Sequence, residues 1–179
     1  MSLKMLINRM QEINESQANP EDKFKNILYA LRDFFTGEFN CREYEISLML
    51  KDKDDIVHFV LPKKLYEKGN SFPVSKSKVT RKVIEFNKSI LNNDTRDTDR
   101  LAVYERLRDA EKDILPIQKF MAVPLCYNDE PFGALWVNRR AESFDKAGPD
   151  FTQTDIDKVI HYLKYIAPHL FRLRLQKYI

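Results

Sequence analysis

The chain has 179 residues, 43% of them apolar, with 30 basic and 27 acidic side chains and a net charge of +3. That length suits one domain of ordinary size with a real core, and the interleaving of the two charge signs leaves no basic stripe for nucleic acid. Only four residues are glycine, Gly37, Gly69, Gly133 and Gly148, and no two are close, so neither a Walker loop nor a GxGxxG fingerprint can be built.

Leu3, Leu6, Met10 and Ile13 form one helical stripe over residues 3–16. Residues 1–18 are therefore read as an N-terminal helix suited to dimerisation or signalling, and 19–179 as one domain. Asn19 and Pro20 open a second helix, as cap and first residue. Phe24, Ile27, Leu28, Leu31, Phe34 and Phe35 make its apolar side, and Gly37 is expected to end it. The period then changes from helical to alternating. Tyr44, Ile46, Leu48 and Leu50 read as a strand, and residues 56–61 as its hairpin partner across the charged turn 51–55.

Residues 62–73 read as irregular. A helix is expected from Ser75 or Ser77, with Val79, Val83, Ile84 and Phe86 inward, then a short strand at 89–91 and a polar loop. Leu101, Tyr104, Leu107 and Ile114 suggest a further helix stopped by Pro116. Residues 120–127 and 132–138 form a second hairpin. Both strands are apolar at nearly every position, which predicts a sheet covered on both faces. A last helix opens near Thr152, Thr154 or Asp155. Ile156, Val159, Leu163, Ile166, Leu170 and Leu173 are spaced in alternating threes and fours, the pattern of a coiled-coil seam. They are read as a dimer helix, kinked at Pro168. The order of elements predicts an α+β fold with an antiparallel sheet.

The stretch from Phe120 through Val123-Pro124-Leu125 to Phe132-Gly133, Trp136, Asn138 and Arg139 resembles a GAF domain. Phe151-Thr152 and the helix from Asp155 match the family's continuation. The resemblance implies a GAF/PAS-like central antiparallel sheet with helices on both faces. It also implies a pocket between one sheet face and the middle section, with the terminal helices covering the opposite face. The candidate pocket positions are Phe72, Val74, Val83, Tyr104, Met121, Val123 and Trp136. Phosphodiesterase GAF domains pair a Lys and an Asp as a salt bridge within an Asn-Lys…Phe-x-x-x-Asp-Glu pattern. Here the matching residues are Arg139 and Asp155, which are expected to form a structural ion pair. Ile156 replaces the Glu.

The segment 72–78 lacks the glycines that GAF domains often place before the pocket helix. Lys76, Lys78 and Arg81 could draw an anion to that helix, but Ser capping and exposed lysines explain them equally. His58, His161 and His169 are too scattered for one metal, so no metal site is assigned. Asp94 and Asp97 are read as solvated loop residues. Cys41 and Cys126 form no CxxC and do not reproduce the cysteine pattern of GAF methionine sulfoxide reductases. No Cys-His pair is present to hold a bilin. No apolar run of about 18 residues and no signal-peptide pattern appears, so a cytoplasmic location without membrane contact is expected.

These readings lead to a non-catalytic sensory domain of a signalling or transcription-regulatory protein. It would bind a small molecule of unknown identity, with no cofactor named, and act as a homodimer. A kinase, cyclase or AAA+ type output domain is the expected partner in the full-length protein. The alternatives are a closed-pocket interaction module and, more remotely, a redox-active GAF enzyme.

Overall fold

In the computed structural model, which describes residues 1–96, 115–175 and 178, the first two helices have the caps their sequences ask for. Helix α1 spans Leu3–Glu15, and the Ser2 hydroxyl accepts from the Met5 amide. Helix α2 spans Pro20–Phe39, with the Asn19 carboxamide accepting from the Asp22 amide at 2.9 Å. It runs through Gly37 rather than stopping there. Asn40, at φ 45°, supplies the left-handed residue that ends it, a conformation asparagine tolerates. Leu6 and Met10 of α1 are fully buried, so this helix belongs to the domain core.

A single 3₁₀ turn at Glu43–Glu45 precedes β1 (Ile46–Lys51), which turns into β2 (Ile56–Leu61). The strand thus starts two residues later than the expected Tyr44. The acidic turn is more than a solvated loop. Asp52 accepts from the amides of Asp54 and Ile56, each at 2.9 Å, and its other oxygen lies 2.7 Å from His58 Nε2. Burial opposes ionisation of Asp52, but these hydrogen bonds outweigh it and hold the carboxyl below its usual range. A depressed carboxylate adds stability above its unfolded pKa, about 4, that is lost as pH falls through the folded value. Asp52→Asn is therefore expected to lower the denaturation midpoint at pH 7 and to flatten the loss of stability below about pH 4. Urea melts at several pH values check this, and an unchanged acid limb would refute it.

The segment expected to be irregular holds a short helix, α3 (Lys63–Glu67), and an edge strand, β3 (Ser71–Pro73), paired with β2. Helix α4 spans Lys78–Ile84 with Ser77 as its cap, and Phe86 lies outside it, exposed rather than inward. The short strand β4 (Ile90–Asn92) follows. The helix expected near 101–114 lies outside the described residues. Strands β5 (Ile117–Tyr127) and β6 (Glu130–Arg140) are longer than their sequence signal. Helix α5 spans Gln153–Leu173 and continues through Pro168.

The six strands form one antiparallel sheet in the order β3-β2-β1-β6-β5-β4. Each face carries its own core, as the unbroken apolar runs of β5 and β6 predict. On one face, α1, α2 and α5 pack against Leu48, Met121, Val123, Leu135 and Val137. On the other, Val79, Val83 and Ile84 of α4 and Phe72 of β3 pack against Met49, Phe59, Phe120, Ala122 and Trp136. Gly133 sits where β6 is flanked by both β1 and β5, opposite Leu50 and Leu125.

Candidate functional site

The layer between the sheet and α4 gathers the side chains of interest. Strand register decides which ones reach it. Trp136 lies opposite Ala122, and Asn138 opposite Phe120, so these four share a face. The rings of Phe120 and Trp136 stack at 4.8 Å between centroids. Phe72 packs on Phe59 at 5.8 Å, and Val74 enters just before α4. Of the expected pocket positions, Phe72, Val74, Val83 and Trp136 therefore meet here. Met121 and Val123 do not. Their strand neighbours Phe120 and Ala122 take that face, while Met121 and Val123 point into the terminal-helix core. Tyr104 lies outside the described residues.

At one end the layer turns polar. The Glu45 carboxylate is 5% exposed and accepts from two backbone amides, Arg42 at 2.8 Å and Arg140 at 2.7 Å. Arg140 donates from Nε to Asn138 Oδ1 at 3.1 Å and from Nη1 to the Leu115 carbonyl at 2.9 Å. Gln118 donates to the Ala141 carbonyl at 2.9 Å. Thr80 and Asn138 are fully buried within the layer, and among the described residues Thr80 Oγ1 and Asn138 Nδ2 have no hydrogen-bond partner. Sequence reasoning missed Thr80 as a lining residue, and it counted Phe120 among the aromatics that could line a pocket without keeping it as a candidate position. It knew Asn138 only as part of a motif.

Arg139 and Asp155 form no ion pair. Arg139 donates to the carbonyls of Pro149 at 3.1 Å and Phe39 at 3.4 Å, and its guanidinium covers the Phe151 ring at 4.9 Å. Asp155 is held locally, accepting from the Thr152 amide and hydroxyl, each at 2.8 Å. The sheet is tied to the start of α5 by Asn93 instead. Its carboxamide donates to the Phe151 carbonyl at 2.8 Å and accepts from the Phe151 amide at 2.9 Å.

The expected dimer seam is also placed differently. Ile156, Val159, Leu163, Ile166 and Leu170 are buried in the domain's own core, and Leu173 packs against it. The outward side of α5 carries the partly exposed Ile160 and Tyr165 instead. A groove of about 470 Å³ runs between α5 and the end of β5, lined in part by Ile160, Lys164, Pro124 and Tyr127. It lies away from the layer just described.

Neither cysteine is set up as a nucleophile. Burial, with some help from Glu45, pushes the Cys41 thiol up to about 12, and burial raises Cys126 as well. Ser77 spends its hydroxyl on the Thr80 amide at 3.1 Å, capping α4. Asp94 is held by Arg96, with its carboxyl down at about 2, and Asp97 lies outside the described residues. Among the described residues no three His, Cys, Asp or Glu side chains gather as a metal site. No described helix is long and apolar enough to cross a membrane.

No protein-family model matches the chain, and no curated protein sequence does. Solved structures do. The GAF domain of an Acinetobacter phosphoenolpyruvate-protein phosphotransferase superposes with a TM-score of 0.64 at 15% identity, covering 96% of each chain. Residues 122 to 287 of a methyl-accepting chemotaxis protein give 0.63 at 15% identity, covering 95% of this chain and 99% of that one. A type II free methionine-R-sulfoxide reductase from Thermoplasma acidophilum gives 0.61 at 13% identity, covering 88% and 99%. At such identities the likeness speaks for fold. The chain folds as a GAF domain, an α+β unit with a six-stranded antiparallel sheet between two helical layers.

Proposed function

We propose that the chain is a non-catalytic sensory module of a signal-transduction or transcription-regulatory protein, binding a small molecule between the sheet and α4. The observation that carries this reading is the second core, which has Trp136 at its floor and buried polar groups at its edge. Apolar walls with a few placed polar atoms are the usual make-up of small-molecule sites. GAF domains of a phosphotransferase and of a GAF/HD protein among the structural neighbours support the regulatory setting.

Strand β6 offers the route for a signal. Trp136 faces the ligand layer, while its neighbours Leu135 and Val137 face the core that holds α1, α2 and α5. A ligand that binds two settings of β6 unequally biases the helices on the other face. Homodimerisation in this reading uses the outward surfaces of α1 and α5, where Met5, Ile160 and Tyr165 are exposed. The output domain would be of kinase, cyclase or AAA+ type.

Raised thiols at Cys41 and Cys126 speak against the reductase reading, because the thiolate is the reactive form. The closed-module reading draws on the Phe120–Trp136 stack, which fills part of the layer. Trp136 is the chain's one tryptophan, so its emission reports on this layer alone. A metabolite library screened by Trp136 fluorescence and thermal shift is expected to yield compounds that change both. A ligand at one hundred times its Kd adds about 2.7 kcal/mol of stability. A library that moves neither signal would favour the closed module.

A further inference from the structure

We propose that the layer beneath α4 selects a small, mainly apolar molecule bearing a hydrogen-bond acceptor, which Asn138 Nδ2 engages and the Thr80 hydroxyl supports. This rests on the reading of that layer as the ligand site.

The argument starts from the orientation of one amide. Arg140 Nε can only donate, so the Asn138 atom it meets at 3.1 Å must be the oxygen. That fixes the other half of the carboxamide as a donor. Asn138 is fully buried, and its Nδ2 finds no acceptor among the described residues. Buried donors in folded proteins are almost always paired, so an orphan whose orientation is locked points to a missing acceptor. Thr80 repeats the observation from the other side of the layer. It lies on the buried face of α4 among Val79, Val83 and Ile84, and its hydroxyl also has no partner there. A helical threonine commonly turns its hydroxyl back to a carbonyl one turn earlier. Thr80 makes no such bond. Asn70 and Arg174 also carry an unpartnered nitrogen, but both side chains are part-exposed. Asn138 and Thr80 combine full burial with an unpartnered polar atom, and both belong to this layer.

The walls define the rest of the ligand. Phe72, Val74, Val83 and Trp136 offer no polar surface beyond the indole N–H. The ligand is therefore apolar over most of its area, with its acceptor aimed at β6.

Acetophenone and ethylbenzene make the test. They are close in size and differ in one carbonyl acceptor. In the wild type, acetophenone is expected to bind about tenfold tighter, read by Trp136 fluorescence. It should also shift the Asn138 side-chain N–H resonances, which ethylbenzene leaves in place. Asn138→Asp keeps the oxygen that Arg140 needs and removes the donor, so the tenfold advantage should vanish. Thr80→Val should cut acetophenone binding by roughly threefold while leaving the free protein as stable or more so, because it removes an unpaired buried hydroxyl. A purely structural role for Thr80 would lower stability instead. Equal binding of both probes by the wild type, with no Asn138 resonance shift, overturns the acceptor selection and leaves the pocket reading standing. Failure of both probes to perturb Trp136 overturns the pocket reading, and this inference with it. Should Asn138→Asp not fold, Thr80→Val and the wild-type resonances still decide.

Discussion

Replacing Ile166 by aspartate is expected to unfold the isolated domain, not to convert a dimer into a folded monomer. Ile166 is 1% exposed and shares its core with Leu163, Ala167 and Leu170. Truncating such a side chain costs about 2–5 kcal/mol on its own. A carboxylate in its place either stays charged without a partner or takes up a proton, and both are costly. The total, on the order of 5 kcal/mol, matches the whole stability of many domains of this size. The same change at Tyr165, one position away and 52% exposed, should leave the fold intact. Circular dichroism melts with sedimentation of both variants make the comparison. A folded, monomeric Ile166→Asp protein would return the stripe to the interface role its spacing suggests.

Gly133→Ala is expected to cost about 3 kcal/mol or more, an unusually large effect for a single added methyl. The reason lies in strand spacing rather than in a turn. A Cβ at Gly133 would meet the Met49 carbonyl oxygen at 2.2 Å, and that atom is backbone. No side chain can swing away to relieve the contact, so β1 must move from β6 at the centre of the sheet. A methyl at Gly37, by contrast, would find nothing within 4 Å, and alanine there should be neutral or helpful. Urea denaturation of the two variants measures the difference. Equal midpoints would refute the close-approach argument.

Much of the architecture can be read from residue spacing. Asn19-Pro20 marks the start of α2, the alternation after Tyr44 gives the first hairpin, and the doubly apolar runs of β5 and β6 announce a sheet covered on both faces. What spacing cannot give is which parity of such a run faces which layer. In β5 every position from Phe120 to Val123 is apolar, so Met121 and Val123 look as good as Phe120 and Ala122. Only the register against Trp136 separates them. The seam on α5 fails for a related reason. Steps of three and four mark one buried stripe, and a partner helix and the chain's own sheet ask for the same pattern.

The Arg139–Asp155 expectation yielded to a shorter-range competitor. Thr152 and Asp155 have the spacing of a capping box, and that local pair satisfies two amides at the start of α5. A distant guanidinium gains less from Asp155 than its own helix terminus does. Thr80 was hidden because a threonine inside a short helix is commonplace. Its significance appears only when its burial and its lack of a partner are seen together.

The order of the strands also shapes how the chain can assemble. The β1–β2 and β5–β6 hairpins each close a turn of a few residues and can form early and locally. The centre of the sheet is another matter. There β1 meets β6, and Ile46 lies opposite Val137, a separation of about half the sequence. That seam can close only after the entropy of a long loop has been overcome, which makes it the late and slow step. Gly133 sits on it, opposite Leu50 and against the Met49 carbonyl oxygen. The residue that lets the strands touch in the finished domain therefore also lies on the strand pairing that joins β3-β2-β1 to β6-β5-β4 in the sheet, so a change there acts on the union of the two hairpins rather than on either hairpin alone.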